Sequence, residues 1–385
     1  MSSNTLTPRV AVIGAGIAGA TCAASLHQAG WRVTVFDKAR GAGGRMATRR
    51  AQWKGPDGLP ASAEFDHGAQ HIVPGHPRFR AAMERAVAAG ALAHWQPRVH
   101  AAWPTAGRRD TLVPLPQMPG LARHLLADVA VGLQHQVQRL HRMADGWHVL
   151  AVDGRTSGPF DQVLLAMPPA QAAVLLAGHH DIWADALAAV RMEPCWTLMA
   201  ATQDLDWPWD ACEPTHGPLA WVARNDRKPG RTAAPGSAVW VAHANALWSS
   251  AHQDADPELV VQALSQALAA LLPAGVALQW HHRAVQRWRY AVPATHAGDA
   301  GDCWWDARRG LGVCGDFMGS GDCAGIEAAW RSGDELSDTL LAALDDETAP
   351  AHPAVAANDA DHALGHTHDH DHDHDHDQAV LAHAA

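Results

Sequence analysis

Residues 9–19 read Arg-Val-Ala-Val-Ile-Gly-Ala-Gly-Ile-Ala-Gly, a short apolar run followed by a glycine-rich turn. The run predicts a strand over residues 9–13, and the small residues after the turn predict a helix over 17–29. Gly30 ends that helix, and the alternating β-branched residues 32–36 predict a second strand. The chain therefore opens with a βαβ unit.

The turn inside this unit has the spacing G-x-G-x-x-G, which is typical of a dinucleotide site when a strand precedes it and a helix follows. Gly14 allows the tight turn, Gly16 lets the backbone approach a pyrophosphate, and Gly19 permits close packing of the helix. The helix N-terminus offers free N–H groups and a positive dipole end to phosphate. The predicted cofactor contacts in this turn are Gly14, Ala15, Gly16, Ile17, Ala18 and Gly19.

The residues after the second strand favour FAD over NAD as the dinucleotide. Asp37 ends that strand, where its carboxylate can accept hydrogen bonds from the ribose hydroxyls. The segment 40–48 follows directly; its paired glycines bring backbone near the cofactor, and Arg45 offers a fork of donors to the pyrophosphate. The contacts predicted here are Asp37, Lys38, Gly44 and Arg45.

A second cofactor segment is predicted near the far end of the chain. Residues 310–315 predict an apolar strand that ends in Gly-Asp, and a helix is predicted over 326–344. The Asp can hold a hydroxyl group of the cofactor's sugar-alcohol chain, and the helix N-terminus can stabilise negative charge on a reduced flavin at N1/O2. The contacts predicted here are Gly315, Asp316, Ile326 and Glu327.

Between these ends the pattern predicts a mixed region and then a β-rich region. Apolar residues near helical spacing predict a helix over 77–89. Strands over 133–140, 147–152 and 160–166 are predicted to form a meander. Residues 180–285 alternate strand-like segments with Pro/Gly-rich loops and contain one clear helical pattern.

The composition is that of a globular chain, with 385 residues, 48% apolar and 18% charged. No stretch reaches the ~20 consecutive apolar residues of a membrane helix, and Arg9 leads directly into the glycine-rich unit without a secretory pattern. We therefore expect a cytoplasmic location and no membrane partner. Six cysteines show neither a disulfide framework nor zinc spacing, so we expect no metal site in the body of the chain.

The net charge of −11 comes mainly from the C-terminal region, because residues 332–385 hold thirteen of the 40 acidic residues and no Lys or Arg. The rest of the chain is nearly neutral, so charge gives no reason to expect a nucleic-acid partner. Residues 346–385 form a His/Asp-rich tail that we expect to be disordered and not catalytic. Loose Zn²⁺ or Ni²⁺ binding by this tail would use His366, His368, His370, His372, His374 and His376.

Several segments together resemble the renalase family, a group within the FAD-dependent amine oxidase superfamily. They are residues 43–49, 65–70, 288–291 and 311–316, with further matches at 221–231, 240–243 and 248–249. The resemblance spans about residues 8–345. It implies non-covalent FAD, with the family's contacts falling on Ala15, Gly16, Asp37, Arg45, Gly68, Ala69, Gln70, Val137 and Asp316, and the Glu327 region under the flavin pyrimidine.

The same resemblance implies an α/β fold of two domains. A Rossmann-type FAD-binding domain would be assembled from residues 8–75, 131–172 and 285–345. A mixed α+β substrate domain would be inserted at residues 76–130 and 173–284. The oligomeric state is left open by the sequence.

The activity implied by the resemblance is that of an oxidase for the 2- and 6-dihydro isomers of NAD(P)H. Hydride would pass to flavin N5, and O₂ would accept the electrons to give H₂O₂. Such a substrate already holds a good hydride, so the protein mainly stacks, orients and shields it. Candidates for contact with flavin or substrate are Lys228, Arg231, Asn225, His243, Trp288 and Tyr290, with no catalytic residue fixed.

Two other functions stay open at this point. An amine oxidase or desaturase acting on a hydrophobic small molecule would have a deep apolar tunnel, whereas a phosphate-binding lobe would favour the dihydronicotinamide substrate. A binding or metal-handling flavoprotein would use the His/Asp tail as its working part. Flavin turnover that survives truncation after Asp345 would exclude the tail from that role.

Overall fold

The protein is described by a computed structural model over residues 7–99, 111–205, 207–272, 276–297, 301–319 and 323–345. The predictions for residues 346–385, including disorder and metal binding by the tail histidines, lie outside these described residues.

The elements alternate between short strands and helices. The first half of the chain contains β1 (Arg9–Ile13), α1 (Ile17–Gln28), β2 (Arg32–Phe36), β3 (Arg49–Lys54), β4 (Pro60–Phe65), α2 (Pro77–Ala88), β5 (Leu92–His94), β6 (Leu112–Pro114), α3 (Gly120–Leu125), β7 (Ala130–Gly132), β8 (Val137–Met143), β9 (Gly146–Ala151), β10 (Thr156–Phe160), β11 (Gln162–Leu165), α4 (Pro169–Leu176) and α5 (Asp181–Ala189). The second half contains β12 (Met192–Gln203), β13 (Ala211–Cys212), β14 (Leu219–Arg224), a 3-10 turn (Asn225–Arg227), β15 (Ser237–Ala244), α6 (Ala246–Ala251), α7 (Pro257–Ala269), β16 (Trp280–Pro293), β17 (Cys303–Asp306), β18 (Leu311–Cys314) and α8 (Gly325–Asp345).

A six-stranded sheet forms the centre of the first lobe, with the strand order β17-β18-β11-β1-β2-β7. All neighbouring strands are parallel except β17, which pairs antiparallel with β18 at one edge. The predicted βαβ unit is confirmed, because β1 and β2 pair in parallel and α1 connects them. Helix α8 packs tightly on α1, since a Cβ on Gly333 would lie 2.2 Å from the Ala18 carbonyl oxygen. This is a Rossmann-type arrangement, in which ligands bind beyond the carboxyl ends of the strands.

A five-stranded antiparallel sheet forms the centre of the second lobe, with the strand order β13-β14-β15-β12-β16. One face is covered by α7, whose N-cap residue Asp256 accepts a hydrogen bond from the Glu258 N–H. That face is filled by apolar side chains that include Trp196, Trp240 and Leu264. Burial of these large side chains holds α7 to the sheet.

The opposite face of the same sheet is turned toward the first lobe. Directly opposed residues of antiparallel strands share a face, so Thr197 lies in one row with His243 on one side and Gln286 on the other. Further along this face, Met199 packs in a buried cluster with Phe65 of β4. The second lobe therefore presents a partly polar face to the segment that follows β4.

The predicted meander is wrong in its boundaries. The meander is formed by β8, β9 and β10. The segment predicted as a single strand over 160–166 is divided at Asp161, with β10 before it in the meander and β11 after it in the six-stranded sheet. The Asp161 N–H donates to the Arg9 carbonyl oxygen, and its carboxylate pairs with the Arg9 guanidinium at 2.7 Å. That switch sends β11 into the main sheet beside β1. The strand predicted over 133–140 begins only at Val137, because Gln134 adopts a left-handed φ of 53°.

Strand β16 bears on the proposed division into domains. It runs across residue 285 and pairs with β12 from Trp280 to Pro293. A division at residue 285 would cut this strand. The region 180–285 also contains α5 and α6 beside the helix predicted from the sequence.

Two expectations about whole-chain features can be compared with the structure. All six cysteines are free thiols, as predicted. No helix within the described ranges is both long enough and apolar enough to cross a bilayer.

Candidate functional site

The glycine turn between β1 and α1 has the shape that its sequence predicts. Gly14 has a φ of 116°, and a Cβ there would lie 2.2 Å from the Ala166 carbonyl oxygen. A Cβ on Gly19 would lie 2.0 Å from the Gly14 carbonyl oxygen. Gly16 differs, because a Cβ built there meets no atom within 4 Å. No side chain caps α1 at Gly16, so the first N–H groups of the helix are free. Free N–H groups beside open space suit the pyrophosphate of a dinucleotide.

Asp37 lies against this turn. Its carboxylate accepts hydrogen bonds from the Ala15 N–H and the Ala39 N–H, both at 2.7 Å. A carboxylate has about four acceptor sites, so these two bonds leave capacity for ribose hydroxyls. Lys38 points elsewhere, since its exposed Nζ lies 3.0 Å from Oε1 of Gln171 on α4.

The second glycine-rich loop closes over the first. The Gly43 N–H donates to the Ala15 carbonyl oxygen at 2.8 Å, and a Cβ on Gly44 would lie 3.2 Å from the Gly16 Cα. Arg45 leaves this loop and forms a bidentate ion pair with Asp316, with both N···O distances 2.6 Å. The N-terminal and C-terminal cofactor segments predicted from the sequence are therefore joined by a charged pair.

The other residues of the C-terminal segment have protein partners as well. The Glu327 carboxylate accepts from the N–H groups of Gly75 and His76, at 2.6 and 2.9 Å, just before α2. The Gly315 N–H donates to Ser332 Oγ at 2.8 Å. Ile326 packs against the apolar core of the first lobe. Val137, at the start of β8, packs against a second core cluster.

Residues 67–70 form the loop that connects the cofactor segments to the second lobe. A Cβ on Gly68 would lie 1.8 Å from the Arg45 carbonyl oxygen, and the Ala69 N–H donates to that same oxygen at 2.9 Å. Gln70 is buried, and its side-chain N–H donates to the Gly68 carbonyl oxygen at 2.9 Å. The loop is thus held directly against the Arg45 loop.

A buried charged cluster lies behind this loop, with Asp66 at its centre. The Asp66 side chain is fully buried and accepts from Arg231 Nε at 3.0 Å and from Thr48 Oγ1 at 2.6 Å. Arg231 Nη2 lies 2.9 Å from the same carboxylate, and Lys228 Nζ lies 3.5 Å from it. Two of the cations predicted from the sequence therefore share one buried carboxylate.

Lys228 is enclosed by protein on every side. Its Nζ donates to Gln70 Oε1 at 3.0 Å and lies 5.5 Å from the centre of the Trp95 ring. Burial lowers the pKa of Lys228 to about 8, although the Asp66 charge acts in the opposite direction. Lys228 therefore reaches the loop at residues 67–70 through Gln70.

Three histidines surround the same loop and are uncharged at neutral pH. Burial, reinforced by the Lys228 charge, lowers the pKa of His243 to about 4 and that of His71 to about 3. Burial and the Arg49 charge lower the pKa of His67 to about 4. The His243 Nε2 lies 3.4 Å from the Gln70 side-chain nitrogen, so His243 contacts the same glutamine as Lys228.

The remaining sequence candidates fall around this cluster. Trp288 Nε1 donates to the His67 carbonyl oxygen at 2.9 Å, and the two rings are stacked with centroids 5.1 Å apart. The Asn225 side chain donates to the Glu64 carbonyl oxygen at 2.9 Å. Tyr290 is half-buried on β16, two residues beyond Trp288. The structure thus brings Lys228, Arg231, His243 and Trp288 to one loop.

Sequence reasoning missed Asp66 and Thr48 as members of this site. A signal was present, because two cations at 228 and 231 within a buried segment require a counter-charge. Asp66 directly precedes the predicted contacts at residues 67–70 and is the acid that meets this requirement.

The lowered pKa of Lys228 predicts a pH dependence of stability. The unfolded chain has the ordinary lysine pKa of 10.5, so between about pH 8 and pH 10.5 it binds more protons than the folded protein. The free energy of unfolding should therefore rise with pH across that window, by an amount on the order of a few kcal/mol. Urea unfolding of the wild type and of Lys228→Met, followed across the window, measures it. Parallel pH curves for the two proteins would contradict this prediction.

Comparison with known protein families agrees with this arrangement. A model described as an NAD(P)-binding Rossmann-like domain matches residues 12–86. A model described as flavin-containing amine oxidoreductase matches residues 105–341, which is more than half of the chain.

Solved structures share the two-lobed fold at low sequence identity. A putative protoporphyrinogen oxidase from Exiguobacterium sp. 255-15 aligns with a TM-score of 0.62 and 13% identity, covering 88% of this chain and 99% of that one. Reduced UDP-galactopyranose mutase aligns with a TM-score of 0.65 and 10% identity, covering 89% and 96%. Cyclohexylamine oxidase from Brevibacterium oxydans aligns with a TM-score of 0.58 and 14% identity, covering 88% and 100%.

A curated relative matches only in part. The bifunctional protein of tRNA 5-methylaminomethyl-2-thiouridine biosynthesis from Magnetococcus marinus is 30% identical in an alignment of 195 residues. The alignment covers 41% of this chain. The match spans 29% of the length of that relative. Because the model of flavin-containing amine oxidoreductase matches residues 105–341, more than half of the chain, the chain belongs to that family.

Proposed function

We propose that the protein is an oxidase of renalase type that takes hydride from dihydronicotinamide isomers of NAD(P)H and passes the electrons to O₂, giving H₂O₂. FAD would be held without a covalent bond, and the protein would act in the cytoplasm. Bound FAD supplies the hydride acceptor at N5. The residues of the chain hold the cofactor and set the charge around its reacting edge.

The observation that carries this proposal is the charge of the buried cluster. Lys228 and Arg231 face a single carboxylate, Asp66, so the cluster holds a net positive charge. A protonated amine entering next to this charge would be repelled, whereas a phosphate-bearing nucleotide would be attracted. The cluster therefore favours a dihydronicotinamide nucleotide over an amine.

The neighbouring histidines support the same choice. The pKa values of His67 and His243 are about 4, so both rings are weak bases at neutral pH. An enzyme that must first remove a proton from its substrate works best with a base whose pKa lies near the working pH. Hydride transfer from a dihydronicotinamide needs no such base.

Amine oxidation is the alternative, and the description of the matched family favours it. Anaerobic mixing of the flavoprotein with 2- and 6-dihydro-NAD(P) isomers, and separately with a panel of amines, decides between the two. We expect rapid bleaching of the flavin absorbance by a dihydronicotinamide isomer, followed by H₂O₂ when air is readmitted. Bleaching by amines alone would replace our proposal with the alternative, and a flavin that neither substrate class bleaches would refute both.

A further inference from the structure

A seam of aromatic rings lies between the β3–β4 hairpin and β16, outside the buried cluster. At one end Trp53 stacks on His282 with ring centroids 5.1 Å apart, and at the other end His67 stacks on Trp288 at the same distance. The two rings of each pair are nearly parallel, with interplanar angles of 17° and 19°. We call these four residues and Arg49 the hairpin seam.

Arg49 faces Phe65 across the hairpin, and the Phe65 ring lies 5.8 Å from the His282 ring. Arg49 is on the same face of β3 as Trp53, because the two are separated by an even number of residues and face Phe65 and Ala61 across the hairpin. Its positive charge lowers the pKa of His67 at one end and of His282 at the other, in both cases second to the effect of burial. Arg49 is therefore close to both rings.

The guanidinium of Arg49 is not used by the protein itself. The Arg49 residue is exposed, and within the described ranges no hydrogen bond or ion pair joins its side chain to another residue. Arg45 and Arg231, by contrast, each pair with a carboxylate, Asp316 and Asp66 respectively. An exposed arginine without a carboxylate partner is suited to an anionic ligand.

Three ring nitrogens of the seam also lack partners. Trp53 Nε1, His67 Nδ1 and His282 Nε2 are buried, and none has a hydrogen-bond partner among the described residues. Buried polar atoms are normally paired, so these three nitrogens add unused hydrogen-bonding groups to the seam. The His67 residue is 8% exposed, which makes its orphan nitrogen the most enclosed part of the seam.

We propose that the hairpin seam binds the phosphate-bearing part of a nucleotide substrate, with Arg49 on the phosphate. The choice of a nucleotide rests on the proposed function. The seam adjoins the cofactor loop because His67 directly precedes Gly68, while the predicted FAD pyrophosphate site lies at Gly16. The substrate's nicotinamide end would thus reach the flavin while its phosphates remain at the hairpin.

The test uses the FAD-loaded protein and ADP-ribose, which carries the phosphates of the substrate without its nicotinamide. We expect calorimetric titration to show that Arg49→Ala binds ADP-ribose at least about tenfold more weakly than the wild type. Arg50→Ala is the matched control, since Arg50 is exposed on the other face of the same strand, opposite Glu64. It should bind within about twofold of the wild type. Arg49→Gln repeats the test with a longer side chain if the alanine variant loses flavin.

Turnover gives a second readout. With a dihydronicotinamide dinucleotide, Arg49→Ala should raise KM and leave kcat near the wild-type value, because the phosphate contact lies away from the reacting ring. Wild-type protein that fails to bind ADP-ribose, or Arg49→Ala and Arg49→Gln that bind it normally, would overturn the inference. Arg49-dependent binding of ADP-ribose without any flavin reduction by dihydronicotinamides would refute the proposed function and leave the seam as a nucleotide-phosphate site.

Discussion

Replacing Asp66 with alanine should destabilise the protein by about 3–5 kcal/mol, because it leaves two buried cations without their shared carboxylate. The Arg231 and Lys228 side chains are 1% and 0% exposed, so water cannot replace the lost partner. Thr48 Oγ1 also loses its acceptor. We expect the variant to lose flavin and unfold at much lower urea concentration than the wild type.

The control for this prediction is an ion pair on the surface. Asp161→Ala breaks the ion pair with Arg9, in which the Asp161 side chain is 44% exposed and the Arg9 side chain 36%. It should lower the free energy of unfolding by no more than about 1 kcal/mol. Urea unfolding followed by circular dichroism compares both variants with the wild type. Adding Arg231→Met to the Asp66→Ala variant should recover part of the stability, since it removes one unpaired cation. A loss for Asp66→Ala as small as that for Asp161→Ala would show that the cluster does not stabilise the fold.

Replacing Gly16 with valine should abolish flavin binding while leaving the apoprotein folded. A Cβ at Gly16 meets no protein atom within 4 Å, so the valine side chain has room in the protein alone. That room is where the pyrophosphate must approach the backbone at the start of α1. We expect the affinity for FAD to fall at least about a hundredfold, which corresponds to about 2.7 kcal/mol.

Two comparison variants make this result specific. Gln28→Val places the same side chain at the exposed end of α1, and it should keep a full complement of flavin. Gly19→Val should unfold the protein, because its Cβ would lie 2.0 Å from the Gly14 carbonyl oxygen. Flavin absorbance per protein and thermal unfolding of the apoprotein are the measurements. A Gly16→Val protein that retains flavin would place the cofactor elsewhere.

The opening βαβ unit was predictable because its signals are local. The apolar run at residues 9–13, the glycines of the turn and the end of α1 at Gly30 are all read within one short window. The sequence predicted cofactor contacts in both glycine-rich loops, but only the structure shows the bond from Gly43 to Ala15. Short-range patterns therefore account for the opening unit of the first lobe.

The buried cluster was less predictable because its contacts are remote in sequence. Asp66 and Arg231 are 165 residues apart, and no local pattern links them. The sequence analysis named Lys228 as a candidate for contact with flavin or substrate, but it could not show that Nζ is enclosed and bonds to Gln70 in the loop at residues 67–70. The same limit explains the error at Asp161, where backbone pairing with the distant strand β1 places β11 in the main sheet.

The ion pair between Arg45 and Asp316 has a consequence for how the protein is made. Its partners are 271 residues apart, and β18, which leads into Asp316, pairs with β11 inside the main sheet. A ribosome must therefore release most of the chain before the cofactor pocket can close. Until then, β11 exposes an unpaired strand edge, and the proposed FAD site lacks its C-terminal segment at residues 315–327. Cofactor loading should accordingly be a late event in biogenesis, and an N-terminal fragment that ends before β18 should not retain flavin.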